Sequence, residues 1–314
     1  MKNKIKIKHF KYLFAVLNGF ILILLIKYKK YELSKNCEHN FLNRYKFCSK
    51  KINTLVNKIK KPSLYIRNLF KQYLLQLPNY THTHEYSNII FWCWLQGEIY
   101  APKLTLSCLN SFKKNCKNHE IIIITAKNML QYIHFPNYIL QKYKKKIISK
   151  PHFADLLRLE LLIKYGGSWA DASLLLTKYD SNFFNKDLFF FQIFNKYWIA
   201  GSNWFITSEK KSPILKTTRD LLYEYWRKNN HAFNYFIFHM YFKMACDRYI
   251  YDYHKIKKYS NQSPHILQSV LFQPFRLKVY NQIILNVSIH KLTTKKKPKK
   301  KSGLIYHHII KQYL

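Results

Sequence analysis

The sequence predicts an α/β fold with a mostly parallel sheet, and three of its features lead to that prediction. Short apolar runs of strand type, at residues 89–94 and 120–125, alternate with segments of helical periodicity. Such alternation builds a parallel sheet, because each helix returns the chain to the same end of the sheet. A further helical pattern, apolar nearly all round and therefore buried, ends at Gly166-Gly167, where a positive φ is expected.

The remaining elements follow from the same periodicities. The isoleucine-rich run EIIIIT at 120–125 predicts a strand buried on both faces. The polar segment PNYTHTHEYSN at 78–88 predicts a linker. Further strands are expected at 188–194 and 203–208, and helices at 103–114, 128–133, 137–145, 213–227 and 233–247.

The N-terminal sequence predicts a membrane anchor. MKNKIKIKHFK precedes the apolar residues 12–26, and KYKK follows them. This order is typical of a signal peptide or signal anchor, and we expect it to stay uncleaved because no small-x-small site follows. The apolar run extends about 22 Å as a helix, which is short for a bilayer span of ~20 residues. We therefore expect a single-pass anchor with snorkelling lysines or a monotopic one, and lysines on both sides leave its orientation open.

Four segments are expected along the chain. Residues 1–30 would form the basic N-terminus and anchor, and 31–87 a helical stem and linker. Residues 88–293 would form the main α/β domain. Residues 294–314 would form a basic C-terminal tail, and the lysine-rich run TTKKKPKKKS at 293–302 is expected to be solvated.

The formal net charge of +39 favours anionic partners. Lysine is spread along the whole chain without an arginine-rich arm, and an AT-rich genome favours the same residue types. We therefore expect no nucleic-acid partner and a diffuse attraction to an anionic membrane surface. The six cysteines include no C-x-x-C pair, which indicates ordinary thiols instead of a zinc site, with a Cys37–Cys48 disulfide as the open alternative.

Three charged residues around the double glycine are predicted to converge. Asp155 and Arg158 are three residues apart and share one helix face. Asp171 follows four residues after Gly167, at the end of a short strand. In an open α/β sheet, nucleotides bind in the crevice beyond the carboxyl ends of the strands. Each residue also has a plainer interpretation: a helical salt bridge for the first two, and a turn for Asp171. Trp94 and Trp169 are equally compatible with core aromatics.

Two stretches together resemble a known family. They are CWLQG at 93–97 and ADLLRLELLIKYGGSWADAS at 154–173. They resemble the sugar-binding DXD region of glycosyltransferases of the capsular polysaccharide synthesis type, which are relatives of yeast mannosyltransferases and glucosylating clostridial toxins. Weaker blocks at 201–215, 235–245 and 289–293 extend the resemblance over about residues 88–293.

The resemblance implies a GT-A type, Rossmann-like nucleotide-sugar domain at 88–293. It implies a hexosyltransferase-type enzyme that moves a sugar, with retention, from a nucleoside-diphosphate donor to a hydroxyl of a surface glycan of capsule or lipopolysaccharide type, or of a lipid-linked acceptor. Arg158 and Asp171 would be catalytic, Trp94 would lie near the base, and Asp155 would accept hydrogen bonds from base or ribose. The implied donor-binding residues are Trp94, Gln96, Gly97, Asp155, Arg158, Gly166, Gly167, Trp169 and Asp171.

The implied metal site departs from the family pattern. Asp171 would face the ribose, the donor sugar or a divalent metal that bridges the diphosphate, and Mg²⁺ or Mn²⁺ is the expected metal because hard cations prefer carboxylate oxygen. The second aspartate of the motif is replaced by Ser173, so one carboxylate stands where metal binding usually relies on two. His239, His290 and Lys291 lie in the downstream blocks and are candidates for contacts to the diphosphate.

Other functional hypotheses remain open from the sequence. The catalytic domain is expected on the cytoplasmic side of the membrane, where bacterial nucleotide sugars are made. The main alternative is a non-catalytic basic protein that binds membranes or nucleic acid on an α/β scaffold. A catalytically decayed relative would bind nucleotide without turnover.

Overall fold

A computed structural model describes residues 70–194, 198–296, 298–299 and 302–314. Its main sheet has five strands in the order β2-β1-β3-β6-β5. β1 pairs in parallel with β2 and with β3, whereas β6 runs antiparallel between β3 and β5. The sheet is therefore mostly parallel, as predicted, with β6 opposing the rest. The five strands are β1 (Ile89–Cys93), β2 (Glu120–Ile124), β3 (Gly167–Asp171), β5 (Leu188–Gln192) and β6 (Gly201–Ser208).

The helices match most of the predicted positions. Residues 70–76 are helical, and ten further helices follow within the described part of the chain. These are α1 (Lys103–Asn115), α2 (Met129–Tyr132), α3 (Asn137–Lys144), α4 (Lys150–Tyr165), α5 (Pro213–Lys228), α6 (Ile237–Arg248), α7 (Ile250–Lys255), α8 (Ile266–Val270), α9 (Leu277–Asn286) and α10 (Ile305–Tyr313). The expected helix at 233–247 begins four residues late, because Phe233 and Asn234 form loop contacts instead.

The central strand β1 is covered on both faces. Ile90 and Trp92 point to the side of α1, where Ile90 shares a core cluster with Phe112. Phe91 points the other way and packs against Tyr165 of α4, with ring centroids 5.9 Å apart. Successive side chains of a strand alternate between its faces, so one five-residue run anchors helices on both sides of the sheet.

The strand β2 is less buried than the sequence predicts. Only Ile124 is buried, and residues 120–123 are exposed or half-buried. The prediction of burial on both faces was wrong because β2 lies at the edge of the sheet and has β1 as its one strand neighbour. An isoleucine run indicates a strand, but it does not reveal the position of that strand in the sheet order.

A second, two-stranded sheet pairs β4 (Leu174–Leu176) with β7 (Ile289–Lys291). It packs beneath α1, and α10 packs on the same helix. Ile305, Ile309 and Tyr313 of α10 are buried in a cluster with Leu104 and Leu175. The structure thus differs from the expected solvated tail at 294–314, because the apolar face of α10 completes the core over α1.

The segment 78–88 is not a free linker. The Tyr80 hydroxyl donates to Asp220 at 2.6 Å, and the Thr83 backbone N–H donates to Glu209 at 2.9 Å. The Thr83 hydroxyl also donates to the Lys210 carbonyl at 2.7 Å. The Glu209 side chain is fully buried and needs such donors, so the segment is fastened to the domain.

The expected anchor, most of the stem and the Cys37–Cys48 pair lie outside the described residues. Among the helices described, none is long and apolar enough to cross a membrane. The described cysteines are free thiols, at Cys93, Cys108, Cys116 and Cys246.

Candidate active site

The carboxyl ends of β1 and β3 meet at one edge of the main sheet. Cys93, the last residue of β1, is paired with Asp171, the last residue of β3. The helix α4 precedes β3 and returns along it. Asp155 lies ten helical residues before Tyr165, about 15 Å, and Asp171 lies four strand residues after Gly167, about 13 Å. Because these two lengths match, the Asp155 and Asp171 carboxylates lie at the same level along the strand direction.

Two glycines make this return possible. Gly166 ends α4 with φ 67°, and Gly167 begins β3 with φ 83°. A Cβ on Gly167 would lie 2.4 Å from the carbonyl oxygen of Ile89, so no side chain fits there. Both glycines stand at the amino end of β3, at the opposite end of the strand from Asp171. They position the helix against the strand, which differs from the predicted contact with the donor.

Arg158 joins the two carboxylates. Its Nη1 donates to Oδ1 of Asp155, and its Nη2 lies 3.3 Å from Oδ1 of Asp171. Arg158 and Asp155 are 4% and 6% exposed, so this is a buried charge cluster. The guanidinium also lies 5.1 Å from the Trp169 ring centroid, and the Trp169 indole N–H donates to Asp171 at 2.9 Å. The predicted convergence of Asp155, Arg158 and Asp171 is therefore present in the structure.

Lys291 completes the cluster from the second sheet. The pairing of β4 with β7 places Lys291 opposite Leu174, beside the chain that leaves β3. Its Nζ donates to Oδ2 of Asp171 at 2.8 Å and to Oγ of Ser173 at 2.8 Å. Burial alone would raise the pKa of Asp171, but the Lys291 ammonium and the Arg158 guanidinium outweigh it and lower that pKa. Asp171 is thus held as a carboxylate between two cations.

The residues at Asp171 do not fit a divalent cation. One carboxylate oxygen accepts from Trp169 and lies beside Arg158, and the other accepts from Lys291. The Ser173 hydroxyl, the other predicted ligand, accepts from the same ammonium. Mg²⁺ and Mn²⁺ need oxygen ligands about 2.1 Å away with no competing positive charge among them. The positive charge between Asp171 and Ser173 is supplied by Lys291.

The family called capsular polysaccharide synthesis protein matches residues 36–312. The chain belongs to this family. No curated protein matches it. Among 18 matching chains of solved structures, one titled "PaToxG Glycosyltransferase" is 19% identical. That match covers 61% of this chain and 79% of the matched chain, with a TM-score of 0.37.

In this member of the capsular polysaccharide synthesis family, the CWLQG stretch ends β1 at Cys93 and then forms a turn. The backbone N–H of Gly97 donates to the carbonyl of Trp94 at 2.9 Å, with Gln96 inside the turn. Gly97 has φ 96°, which favours glycine. Trp94 is half-buried against the core cluster that contains Trp92 and Leu109, and its indole N–H is buried with no hydrogen-bond partner among the described residues.

The two predicted histidines are used elsewhere. His290 is fully buried, its Nε2 lies 3.3 Å from Oγ1 of Thr177, and burial lowers the pKa of His290 to about 3. It is therefore neutral and closed off from solvent. Nδ1 of His239 lies 3.0 Å from the carbonyl oxygen of Gly201, at the start of β6. Of the three downstream candidates, the structure brings Lys291 to Asp171.

Asn203 belongs to the cluster but was not predicted. Its side-chain amide donates to Oδ1 of Asp155 at 2.8 Å, from the neighbouring antiparallel strand β6. His152, one turn before Asp155, lies 3.8 Å from the other carboxylate oxygen. An asparagine inside the apolar run GSNWFITS was the available signal, because a buried strand seldom carries an amide without a partner.

A second group of possible metal ligands lies at the opposite edge. Ligand atoms of His84, Asp187 and Glu209 fall within 4.8 Å of one another. Glu209 directly follows β6, whose last residue Ser208 pairs with Gly167 at the amino end of β3. This group is therefore separated from Asp171 by the length of the strand, and it cannot supply a cation to the same cleft.

Proposed function

We propose that the protein is a glycosyltransferase that moves a sugar from a nucleoside-diphosphate donor to a hydroxyl of a surface glycan. The family membership supports a role in capsule synthesis. The observation that carries the proposal is the Arg158 guanidinium between Asp155 and Asp171, at the carboxyl edge of β1 and β3. That edge is where open α/β sheets bind nucleotides. By the same argument the domain is of GT-A type.

Different side chains of the site contact different parts of the donor in this proposal. Trp94, beyond the end of β1, offers its half-buried aromatic face to the nucleobase. Asp155 accepts hydrogen bonds from ribose hydroxyls, and Asn203 and Arg158 hold it in place. The planar fork of Arg158 is suited to phosphate oxygens once the donor enters. Asp171 faces the donor sugar and keeps both neighbouring cations oriented.

The transfer breaks the bond between the anomeric carbon and the β-phosphate oxygen, and the electron pair stays on that oxygen. The acceptor hydroxyl oxygen forms the new bond to the anomeric carbon, and its proton passes to the departing phosphate. Retention of configuration follows if the hydroxyl attacks from the face that the phosphate leaves. Preorganised positive charge stabilises the negative charge that builds on the phosphate oxygen.

The setting of the reaction is part of the same proposal. An N-terminal anchor within residues 1–30 and a stem within 31–87 would hold the domain at 88–293 on the cytoplasmic face. The net charge of +39 suits an anionic membrane surface and a lipid-linked acceptor. The acceptor would then reach the cleft from the bilayer side.

Donor hydrolysis and nucleotide binding test the proposal. Wild-type protein is expected to be stabilised by UDP or GDP in thermal melts and to release that nucleotide slowly from the corresponding sugar donor. Asp171→Asn is expected to lower the release rate by at least about 100-fold. Asp180→Asn is the matched control, because Asp180 caps a short turn in the 180–183 segment outside the cluster.

Two results would contradict the proposal. One is equal turnover in the Asp171 and Asp180 variants. The other is binding that ignores the nucleotide and follows only polyanions with a steep salt dependence, which would favour the non-catalytic alternative. Nucleotide binding without any turnover would identify a decayed enzyme.

A further inference from the structure

Lys291 occupies the position that a bridging cation would take. Its ammonium lies 2.8 Å from both Asp171 Oδ2 and Ser173 Oγ, the two atoms that a metal at this motif would use. The lysine reaches them from β7, which is held by antiparallel pairing with β4 immediately after the motif. A regular backbone ladder therefore fixes the base of the side chain.

We infer that the Lys291 ammonium performs the charge-neutralising role of a divalent cation at this site, so that the donor diphosphate binds and departs without a metal. The inference rests on the proposed glycosyltransferase function and names how that site handles its diphosphate. Lysine is a common phosphate binder and acts as a compact point charge.

The geometry leaves the ammonium able to reach a phosphate. A lysine ammonium has three N–H donors, and two of them are used by Asp171 and Ser173. The Lys291 side chain is 18% exposed and that of Asp171 is 26% exposed, so both are partly accessible from solvent. The third donor is available to an oxygen of the β-phosphate, while Asp171 keeps the ammonium in place.

A metal would compete with the lysine for the same oxygens. A cation bound to Asp171 Oδ2 at about 2.1 Å would lie within about 5 Å of the ammonium, and like charges repel strongly in a shielded site. Lys291 would have to leave, losing both of its hydrogen bonds. The second carboxylate of the cluster, Asp155, is buried against the Arg158 guanidinium, and that positive charge would repel a metal ion there as well.

The bond changes are those of the proposed transfer. The bond from the anomeric carbon to the β-phosphate oxygen breaks, and the electron pair stays on that oxygen. The acceptor hydroxyl supplies the oxygen of the new bond, and its proton ends on the departing phosphate. The Lys291 ammonium donates a hydrogen bond to the departing phosphate while negative charge builds on that phosphate. Lys291 itself gives up no proton in this step.

The test compares donor turnover by the full chain in EDTA and in Mn²⁺. For the wild type, the rate is expected to change less than about threefold between the two buffers. Lys291→Met is expected to lose about 100-fold in both, which is the usual effect of removing one transition-state stabilising donor. Lys145→Met, at the exposed end of α3, removes the same charge elsewhere and is expected to match the wild type.

Two further measurements separate a catalytic ammonium from a structural one. In Lys291→Ala, added methylammonium is expected to restore part of the lost rate, because it supplies the missing cation to the vacated space. Mn²⁺ binding, followed by the electron paramagnetic resonance of the free ion, is expected to be equal in the wild type and Asp171→Asn. This comparison cancels any Mn²⁺ held by the His84–Asp187–Glu209 group.

Different results would contradict the metal-free role of Lys291 and the proposed glycosyltransferase function. A wild-type rate that falls at least tenfold in EDTA and returns with Mn²⁺, together with a Mn²⁺ site lost in Asp171→Asn, would overturn the inference but leave the glycosyltransferase proposal standing. Full activity of Lys291→Met, or no rescue of Lys291→Ala, would also overturn it. Absence of nucleotide binding and turnover in both buffers would defeat the proposed function and this inference with it.

Discussion

Replacing Arg158 by methionine should destabilise the protein by about 3 kcal/mol. Removing one partner of a buried ion pair costs about 3–5 kcal/mol, because the other charge stays buried without compensation. The lower figure applies here because Asp155 keeps its hydrogen bond from Asn203 and Asp171 keeps Lys291. Methionine fills most of the volume that the arginine stem occupies, so the packing loss is small.

The double variant Asp155→Asn/Arg158→Met isolates the charge effect. It removes the buried carboxylate together with its partner, so most of the lost free energy of unfolding should return. We expect the double variant to be less destabilised than the single one by at least about 1 kcal/mol. Without the guanidinium, the pKa of Asp171 should also rise, since Arg158 is one of the two cations that lower it.

Urea denaturation, followed by far-ultraviolet circular dichroism, measures the free energy of unfolding of the wild type, the single variant and the double variant. A loss of about 3 kcal/mol corresponds to a lower melting temperature by roughly 6–12 °C for a domain of this size. A loss below about 1 kcal/mol in Arg158→Met would refute the buried-cluster argument. So would a double variant less stable than the single one, because the asparagine cannot carry the penalty of an unpaired charge.

Two other changes test the frame around the site. Gly167→Ala should lower the free energy of unfolding by more than about 3 kcal/mol, because the new Cβ would meet a carbonyl of β1. Gly303→Ala is the control: Gly303 also has a positive φ but open space around it, so the loss should be about 1 kcal/mol. Equal losses in chemical denaturation would contradict the close contact at Gly167. His82 lies between Glu209 and Asp252. Burial opposes the positive charge of His82, but its bonds to both acids raise its pKa above 6.5. The contribution of His82 to stability is therefore present below pH 6.5 and is lost as the pH rises through the raised pKa. His82→Gln should remove that part of the pH dependence in melts between pH 5 and pH 9, and an unchanged profile would contradict it.

Local sequence carried most of what could be predicted about the site. Asp155, Arg158 and Asp171 lie within one helix–turn–strand unit, so spacing and the double glycine were enough to place them together. The contact from Asn203 joins residues 48 apart, and that from Lys291 joins residues 120 apart. No periodicity encodes such distances, because they depend on which strands become neighbours.

In the fold as well, features set by local sequence were predicted well and features set by distant contacts were not. The strands and helices of the α/β unit appear close to their predicted positions, because apolar periodicity is a local property. The half-exposed edge strand β2 was wrongly expected to be buried, since strand order is set by the whole sheet. In the C-terminal segment, the lysine run predicted a solvated tail, but Ile305 and Ile309, four residues apart, form the buried face of a helix.

The most direct test of the central claim is a crystal structure of the protein with a nucleoside diphosphate in the presence of EDTA. The account predicts the nucleotide at the carboxyl edge of β1 and β3, with a β-phosphate oxygen about 3 Å from the Lys291 ammonium. A nucleotide bound elsewhere, or one seen only when Mn²⁺ is added and Lys291 has turned away from Asp171, would contradict it.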